Sequence, residues 1–311
     1  MDKQLLIDCH ERIKPFIHNT PVLSSRLINE MVGAETYFKC ENFQKMGAFK
    51  MRGAANAILQ LTDEQKQNGV VTHSSGNFAQ ALSLSAKSIG IKAYIVMPNS
   101  APEVKKQAVK GYGGILIECE PTLEARERTS EQIVLEHGAV FIHPSNDDHV
   151  ILGQGTACKE LLEVQPELEY VFTPVGGGGL IAGTALYGHF FGNNCKTIGG
   201  EPFEADDAYR SLKSGNIETN TTISTIADGL KTQLGDRNFP IIQKYVEEIV
   251  RVTEDEIVTA MRLIWERLKI VCEPSSAVAL AAAFKKKEEL ENKKIGIIVS
   301  GGNVDVGKLP F

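Results

Sequence analysis

The chain has 311 residues, with 33 Lys+Arg against 39 Asp+Glu and a formal net charge of −6 at neutral pH. Charged residues make up 23%, the apolar set 42%, and 28 residues are glycine, a balance that excludes disordered, collagen-like and coiled-coil chains. The mild acidity argues against nucleic-acid or anionic-membrane partners, and no apolar run reaches the ~18 residues of a membrane span.

Short apolar, β-branched runs recur in chain order at 37–40, 70–72, 92–97, 115–118, 140–143, 170–175, 197–200, 249–252 and 295–299. Amphipathic segments fill the intervals, among them 122–137, 254–270 and 276–290. The second of these follows Thr253 with Glu256 three residues on, a capping box. Such alternation predicts an α/β chain whose mostly parallel sheets are covered on both faces. Four tight strand–helix units between 69 and 145 predict a small domain, with 1–68 and 146–311 forming a larger, discontinuous one. A cleft between two such bodies is where a small ligand is expected.

Six cysteines, at 9, 40, 119, 158, 195 and 272, are never closer than 31 positions, so no metal knuckle or redox pair is encoded. They read as buried free thiols of a reducing compartment. The N-terminus flanks its apolar triplet with charges on both sides and lacks the apolar core of a secretory signal, so a cytoplasmic location is expected.

The strongest local signal is the run Gly176, Gly177, Gly178 and Gly179, which follows a strand and opens an apolar helix. Four glycines in succession lose much conformational freedom on folding. Bare N–H groups at a helix start offer a compensating gain, an anion site suited to phosphate. Lys50, flanked by Phe49 and Met51, lies just inside a helix start, where desolvation would make its amine a nucleophile toward a carbonyl. Two further turns, Ser74-Ser75-Gly76-Asn77 and Ser300-Gly301-Gly302-Asn303, place hydroxyl and backbone donors at strand ends. An amine beside a phosphate cradle suggests pyridoxal phosphate, an aldehyde that carries a phosphate. The competing reading is an NAD-dependent dehydrogenase, because Gly177, Gly179 and Ala182 fit G-x-G-x-x-A with Glu201 some 24 residues on.

These motifs, in this order and spacing, resemble the fold-type II pyridoxal-phosphate enzymes. Within that class, the chain resembles the serine racemase and short threonine/serine dehydratase group from Thr20 to Asp305. The resemblance implies two three-layer αβα domains like those of the tryptophan synthase β chain. It implies Lys50 as the Schiff-base lysine, Phe49 packing on the coenzyme ring, and Gly176 to Gly179 on its phosphate. Asn77 is implied at the ring hydroxyl and Ser300 at the ring nitrogen, where a neutral hydroxyl makes a weaker electron sink than an aspartate would. Ser74, Ser75, Asn77 and Arg126 are implied at the substrate carboxylate, with Ser75 as the acid/base group on the face opposite Lys50. The activities so implied are ammonia-lyase and racemase chemistry on serine- or threonine-type β-hydroxy amino acids, with 3-hydroxyaspartate as an alternative substrate.

The resemblance also implies a divalent-cation site for Mg, Ca or Mn made by Glu201, the Ala205 carbonyl and Asp207. A homodimer is expected, and Ser25, Lys45 and Lys105 match an ATP effector site in which Met46 departs from the usual Thr. Isoleucine feedback is not expected, because the sequence ends at Phe311 without a regulatory domain. Phe78 replaces the His usual after Ser-Gly-Asn, which is expected to remove a polar group from the carboxylate loop. Ser145, and Thr232 with Gln233, also depart from the family pattern. His73 and His143 read as structural histidines, and Trp265 as core.

Overall fold

Ten strands form where apolar residues alternate across two packed faces in the computed structural model, which describes residues 1–311. They are β1 (Val22–Leu23), β2 (Glu35–Cys40), β3 (Val70–His73), β4 (Ala93–Pro98) and β5 (Ile115–Cys119), then β6 (Val140–Phe141), β7 (Tyr170–Pro174), β8 (Lys196–Pro202), β9 (Val246–Val252) and β10 (Lys294–Val299). Nine coincide with the runs expected from the sequence. β1 has no counterpart among them, because two residues are too short to display a period.

The strands make two sheets, a six-stranded one in the order β1-β2-β10-β7-β8-β9 and a four-stranded one in the order β5-β4-β3-β6. Every pairing is parallel except that of β1 with β2. Neighbouring residues of one strand face opposite cores, as the pleat requires. Ile297 packs with the alanine-rich helix Pro274–Lys285 on one side of the large sheet, while Ile298 packs with helices Asp148–Val164 and Gly179–Phe191 on the other. In the small sheet, Ile95 faces helices Lys50–Leu59 and Asn77–Ser88, whereas Tyr94 and Val96 face helix Leu123–His137. Each sheet is therefore the middle layer of a three-layer αβα sandwich, with its central strands buried on both faces.

Helix boundaries follow local chemistry. Thr122 caps helix Leu123–His137, and Thr253 with Glu256 forms a complete capping box. Two expected helices end sooner than their apolar pattern. The segment after Leu263 widens into a π turn that stops at Lys269, which takes a left-handed φ of 60°, and Trp265 Nε1 donates to the Cys272 carbonyl at 3.0 Å. The other begins at Pro274, a residue preorganised for the first helical position, and closes at Lys285. All six cysteines are unpaired, five of them buried.

Beneath helix Lys50–Leu59 lies a buried quartet of charges. Arg52, fully buried, donates from Nε and Nη2 to both oxygens of Glu41 at 2.6 and 2.7 Å, and from Nη1 and Nη2 to both oxygens of Glu160 at 2.7 Å. Lys39 Nζ pairs with Glu160 at 2.7 Å and donates to the Thr20 carbonyl at 2.6 Å. Two cations and two anions balance, and burial is tolerable only because each is paired and hydrogen-bonded. Replacing Arg52 by Met leaves two buried carboxylates facing one amine. That variant is expected to lose about 3–5 kcal/mol of stability in urea unfolding. A loss below ~1 kcal/mol would show that the quartet adds no more than a surface pair does.

Candidate active site

The carboxyl ends of β3, β7 and β10 open onto one cavity of about 1620 Å³, lined from both sheets. Every residue implied at the coenzyme or the substrate lies on its wall: Phe49, Lys50, Ser74, Ser75, Asn77, Arg126, Gly176 to Gly179 and Ser300. Parallel topology produces this convergence, since the loops that follow parallel strands all leave on one side.

Lys50 is the first residue of its helix, and the preceding turn is tied to the large sheet. Phe49 N donates to the Ser300 carbonyl at 2.9 Å, and Ala48 bridges Gly301. The Nζ atom donates to the Pro144 carbonyl at 2.7 Å and lies 5.0 Å from the Phe49 ring centroid and 5.8 Å from that of Phe78. No carboxylate lies within ion-pair distance of it. Burial lowers its pKa to about 7, and a helix N-terminus also disfavours an added positive charge. Phe78 lines the cavity next to Ser74, Ser75 and Asn77. Its ring is buried in the small-sheet core beside the amine, so the substitution for His adds an apolar wall near Lys50.

The glycine loop joins β7 to helix Gly179–Phe191 and is buried throughout. A Cβ on Gly176 would stand 2.8 Å from Leu230 Cα, one on Gly178 2.6 Å from Asn238 Oδ1, and one on Gly177 would strike Ser145 Oγ. Gly178 also has φ +79°, where a side chain is strained. The N–H groups of Gly176, Gly177 and Gly178 reach no protein acceptor, and Gly179 begins the first helical turn, whose donors have no partner within the helix. Buried donors in such a row need an external acceptor. A phosphate supplies one, so the loop and Lys50 together fit a coenzyme that carries both a phosphate and a carbonyl.

Asn77 opens helix Asn77–Ser88. Its Nδ2 donates to both oxygens of Glu273 at 3.0 and 3.2 Å, and its Oδ1 accepts from Asn303 Nδ2 at 2.9 Å. Ser300 is buried, with its Oγ 3.0 Å from Ser276 Oγ. Ser74 Oγ accepts from Gly76 N at 3.3 Å, and Ser75 stands beside it on the cavity wall. Arg126 is half-buried on helix Leu123–His137 across the cavity, and its Nε donates to the Thr122 carbonyl at 3.4 Å.

The acidic loop lies elsewhere, at the end of β8. Glu201, Ala205 and Asp207 are fully buried. Glu201 accepts from the N–H groups of Ala208 and Tyr209 at 3.0 and 2.8 Å and does not line the cavity that the glycine loop borders, so the dinucleotide reading fails there. Asp207 accepts from Asn220 Nδ2 at 2.7 Å and from Leu234 N at 3.1 Å. Neither carboxylate has a Lys or Arg partner, and the Ala205 carbonyl accepts no protein hydrogen bond. Two buried carboxylates and a free carbonyl form a hard-oxygen set that lacks a counter-charge. No group of three His, Cys, Asp or Glu side chains assembles anywhere in the chain.

Two cavity residues, Glu273 and His143, and Gln154 behind the wall escape sequence reasoning. Glu273 precedes a helix-starting proline and reads as a cap. His143 reads as structural, yet its Nδ1 accepts from Ser145 N and Asn146 N at 3.2 and 2.8 Å, and burial lowers its pKa to about 4, so it lines the wall as a neutral ring. Gln154, fully buried, donates to the same Pro144 carbonyl as Lys50, at 3.1 Å, and no spacing marks it.

The reactive form of Lys50 is the neutral amine, so its fraction grows with pH through a midpoint near 7, far below the ordinary lysine range. Trapping an added aldehyde on Lys50 with borohydride should therefore reach its half-maximal initial rate near neutral pH, and Lys50→Ala should trap none. A midpoint in the ordinary lysine range would mean that water reaches the amine.

Comparison with known proteins accounts for this geometry. Residues 13–301 match the family described as pyridoxal-phosphate dependent enzymes. The serine racemase of Dictyostelium discoideum is 51% identical over 306 residues, 97% of this chain and 94% of that protein. The β-hydroxyaspartate dehydratase of Paracoccus denitrificans is 49% identical, over 98% of this chain and 97% of its own. The solved structure of maize serine racemase superposes with a TM-score of 0.96 at 47% identity, covering 98% of this chain and 94% of its own. The amine in its apolar pocket, the row of free N–H donors opposite it and these likenesses lead to one assignment: the chain belongs to the pyridoxal-phosphate-dependent enzymes of fold-type II.

Proposed function

We propose that the chain is an ammonia-lyase and racemase of β-hydroxy amino acids, with serine, threonine and 3-hydroxyaspartate as its substrate class. The observation that carries this reading is the pairing of a desolvated Lys50 with a neutral hydroxyl, Ser300, in the same cavity. Lys50 holds pyridoxal phosphate, Gly176 to Gly179 hold its phosphate, and Phe49, Asn77 and Ser300 meet its ring. Bound there, the coenzyme supplies an electron sink for the substrate α-carbon. Ser74, Ser75, Asn77 and Arg126 orient the substrate carboxylate. Lys50 Nζ takes the α-proton. Loss of the β-hydroxyl then leads to a 2-oxo acid and ammonia, whereas a proton delivered by Ser75 to the opposite face gives the D-amino acid. A hydroxyl at Ser300 cannot hold the ring nitrogen protonated as a carboxylate would, which favours these outcomes over transamination.

Residues 69–145 are proposed as a small domain that closes over the substrate, supported by the Lys105–Asp228 ion pair of 2.9 Å across the cavity mouth. A homodimer belongs to the same reading, supported by exposed Leu27 and Met31 four residues apart on one helix. An ATP effector at Ser25, Lys45 and Lys105 would have to displace existing contacts, because Ser25 caps a helix and Lys105 is paired. No helix is long and apolar enough to cross a membrane. A cytoplasmic location is proposed on the strength of six unpaired thiols. Glu201, Asp207 and the Ala205 carbonyl are proposed to hold Mg, Ca or Mn, which would neutralise two buried carboxylates.

The deciding experiment is a panel of L-serine, L-threonine and 3-hydroxyaspartate scored for 2-oxo acid and for the D-isomer. Ser75→Ala is expected to lose racemisation by at least ~100-fold while dehydration persists. Equal loss of both would make Ser75 a carboxylate ligand alone. Chelation is expected to lower the thermal midpoint by several degrees, with Mg restoring it, and Glu201→Gln should abolish that response. An unchanged midpoint would remove the cation from the reading.

A further inference from the structure

Five carboxylates line the cavity, and four of them, Glu127, Glu131, Asp228 and Asp305, are exposed. Glu273 alone is buried, at 4% exposure, and no Lys, Arg or His lies within ion-pair distance of it. Its main chain is held on both sides: Glu273 N donates to the Gly301 carbonyl at 3.0 Å, and Ser276 N donates to the Glu273 carbonyl at 3.0 Å. Its Oε1 lies 2.8 Å from where a Cβ of Gly301 would stand, so a bare backbone lets it approach. Burial raises its pKa to about 7, opposed by the hydrogen bond from Asn77.

The contacts around it form a chain with a direction. The Met46 carbonyl can only accept, and Asn303 Nδ2 donates to it at 2.9 Å, which settles how the Asn303 amide is turned. The same Nδ2 donates to Asn77 Oδ1, so the NH₂ of Asn77 must face Glu273, where it donates to both oxygens. A single Asn77 hydrogen shared between the two oxygens would account for both contacts and leave the second for a ligand in the cavity.

We propose that Glu273 is a positioning residue that locks the Asn77 amide with its NH₂ toward the coenzyme, so that the ring oxygen meets a donor and is favoured without its proton. A donor stabilises an oxygen that has lost its proton, whereas the amide oxygen, were it turned inward, would stabilise the protonated hydroxyl. The proposal rests on the assignment of Asn77 to the ring hydroxyl, and it identifies the group that gives this contact its sign.

The test uses holoenzyme and reads the pH midpoint of the visible coenzyme band together with coenzyme affinity. Glu273→Leu removes the acceptor and should move the midpoint and weaken coenzyme binding about tenfold. Glu273→Gln retains an acceptor oxygen and should restore both to within about threefold of the native values. Adding Asn77→Ala to Glu273→Leu should change little more, because the two residues act as one unit. A native band in Glu273→Leu, or a Gln variant as perturbed as the Leu variant, would overturn the proposal. Asn77→Ala alone separates the two claims. A native band there would overturn the assignment of Asn77 and the proposal with it, whereas a shifted band beside a native Glu273→Leu would overturn only the role of Glu273. Should Glu273→Leu not fold, Glu273→Ala removes the same acceptor with a smaller side chain and must shift the band in the same direction.

Discussion

Arg52 carries a positive charge into a site without water, and it persists there because Glu41 and Glu160 each meet its guanidinium through two oxygens. Those partners come from the turn after β2 and from helix Asp148–Val164, and Lys39 adds the strand itself. Removing any one member would leave an uncompensated buried charge, which is far more costly than losing a surface pair. The quartet therefore holds strand, turn and two helices in one arrangement. Lys50 stands two residues before Arg52, at the start of the helix so held, and the aim of its amine follows from that constraint.

Around this fixed point the site is assembled from opposite requirements. Lys50 needs an apolar surround to remain a neutral amine, and Phe49 and Phe78 provide it. The glycine loop needs the reverse, a row of exposed donors without side chains, and its tight packing against Leu230, Ser145 and Asn238 permits nothing larger than hydrogen. A coenzyme with a carbonyl at one end and a phosphate at the other satisfies both. Under the proposed function, the ring between them would meet the neutral side chains of Ser300 and Asn77, and the protein would restrain rather than amplify the electron sink.

Much of this was legible in the linear order of residues. Strand periods located nine of ten strands, because burial on both faces imposes continuous β-branched runs. Lys50 and the four glycines stand out because each is locally disfavoured without a compensating role. Glu273, His143 and Gln154 carry no such mark. A glutamate before Pro274 is an ordinary helix start, and its partner Asn77 lies 196 positions away. Phe78 was legible as a departure from pattern, but its environment was not. Only packing shows that its ring belongs to the core beside Lys50.

The amino-acid order by itself determined the α/β alternation, the bare backbone of the glycine loop and the place of Lys50 at a helix start, since these depend on local period, on the absence of side chains and on residue type. The tertiary structure decided which groups face one another: the quartet beneath Lys50, the directed chain from Met46 through Asn303 and Asn77 to Glu273, and the separation of the acidic loop from the cavity. Charge balance and hydrogen-bond direction arise between residues that share no stretch of chain, and they exist only once two parallel sheets bring their strand ends together.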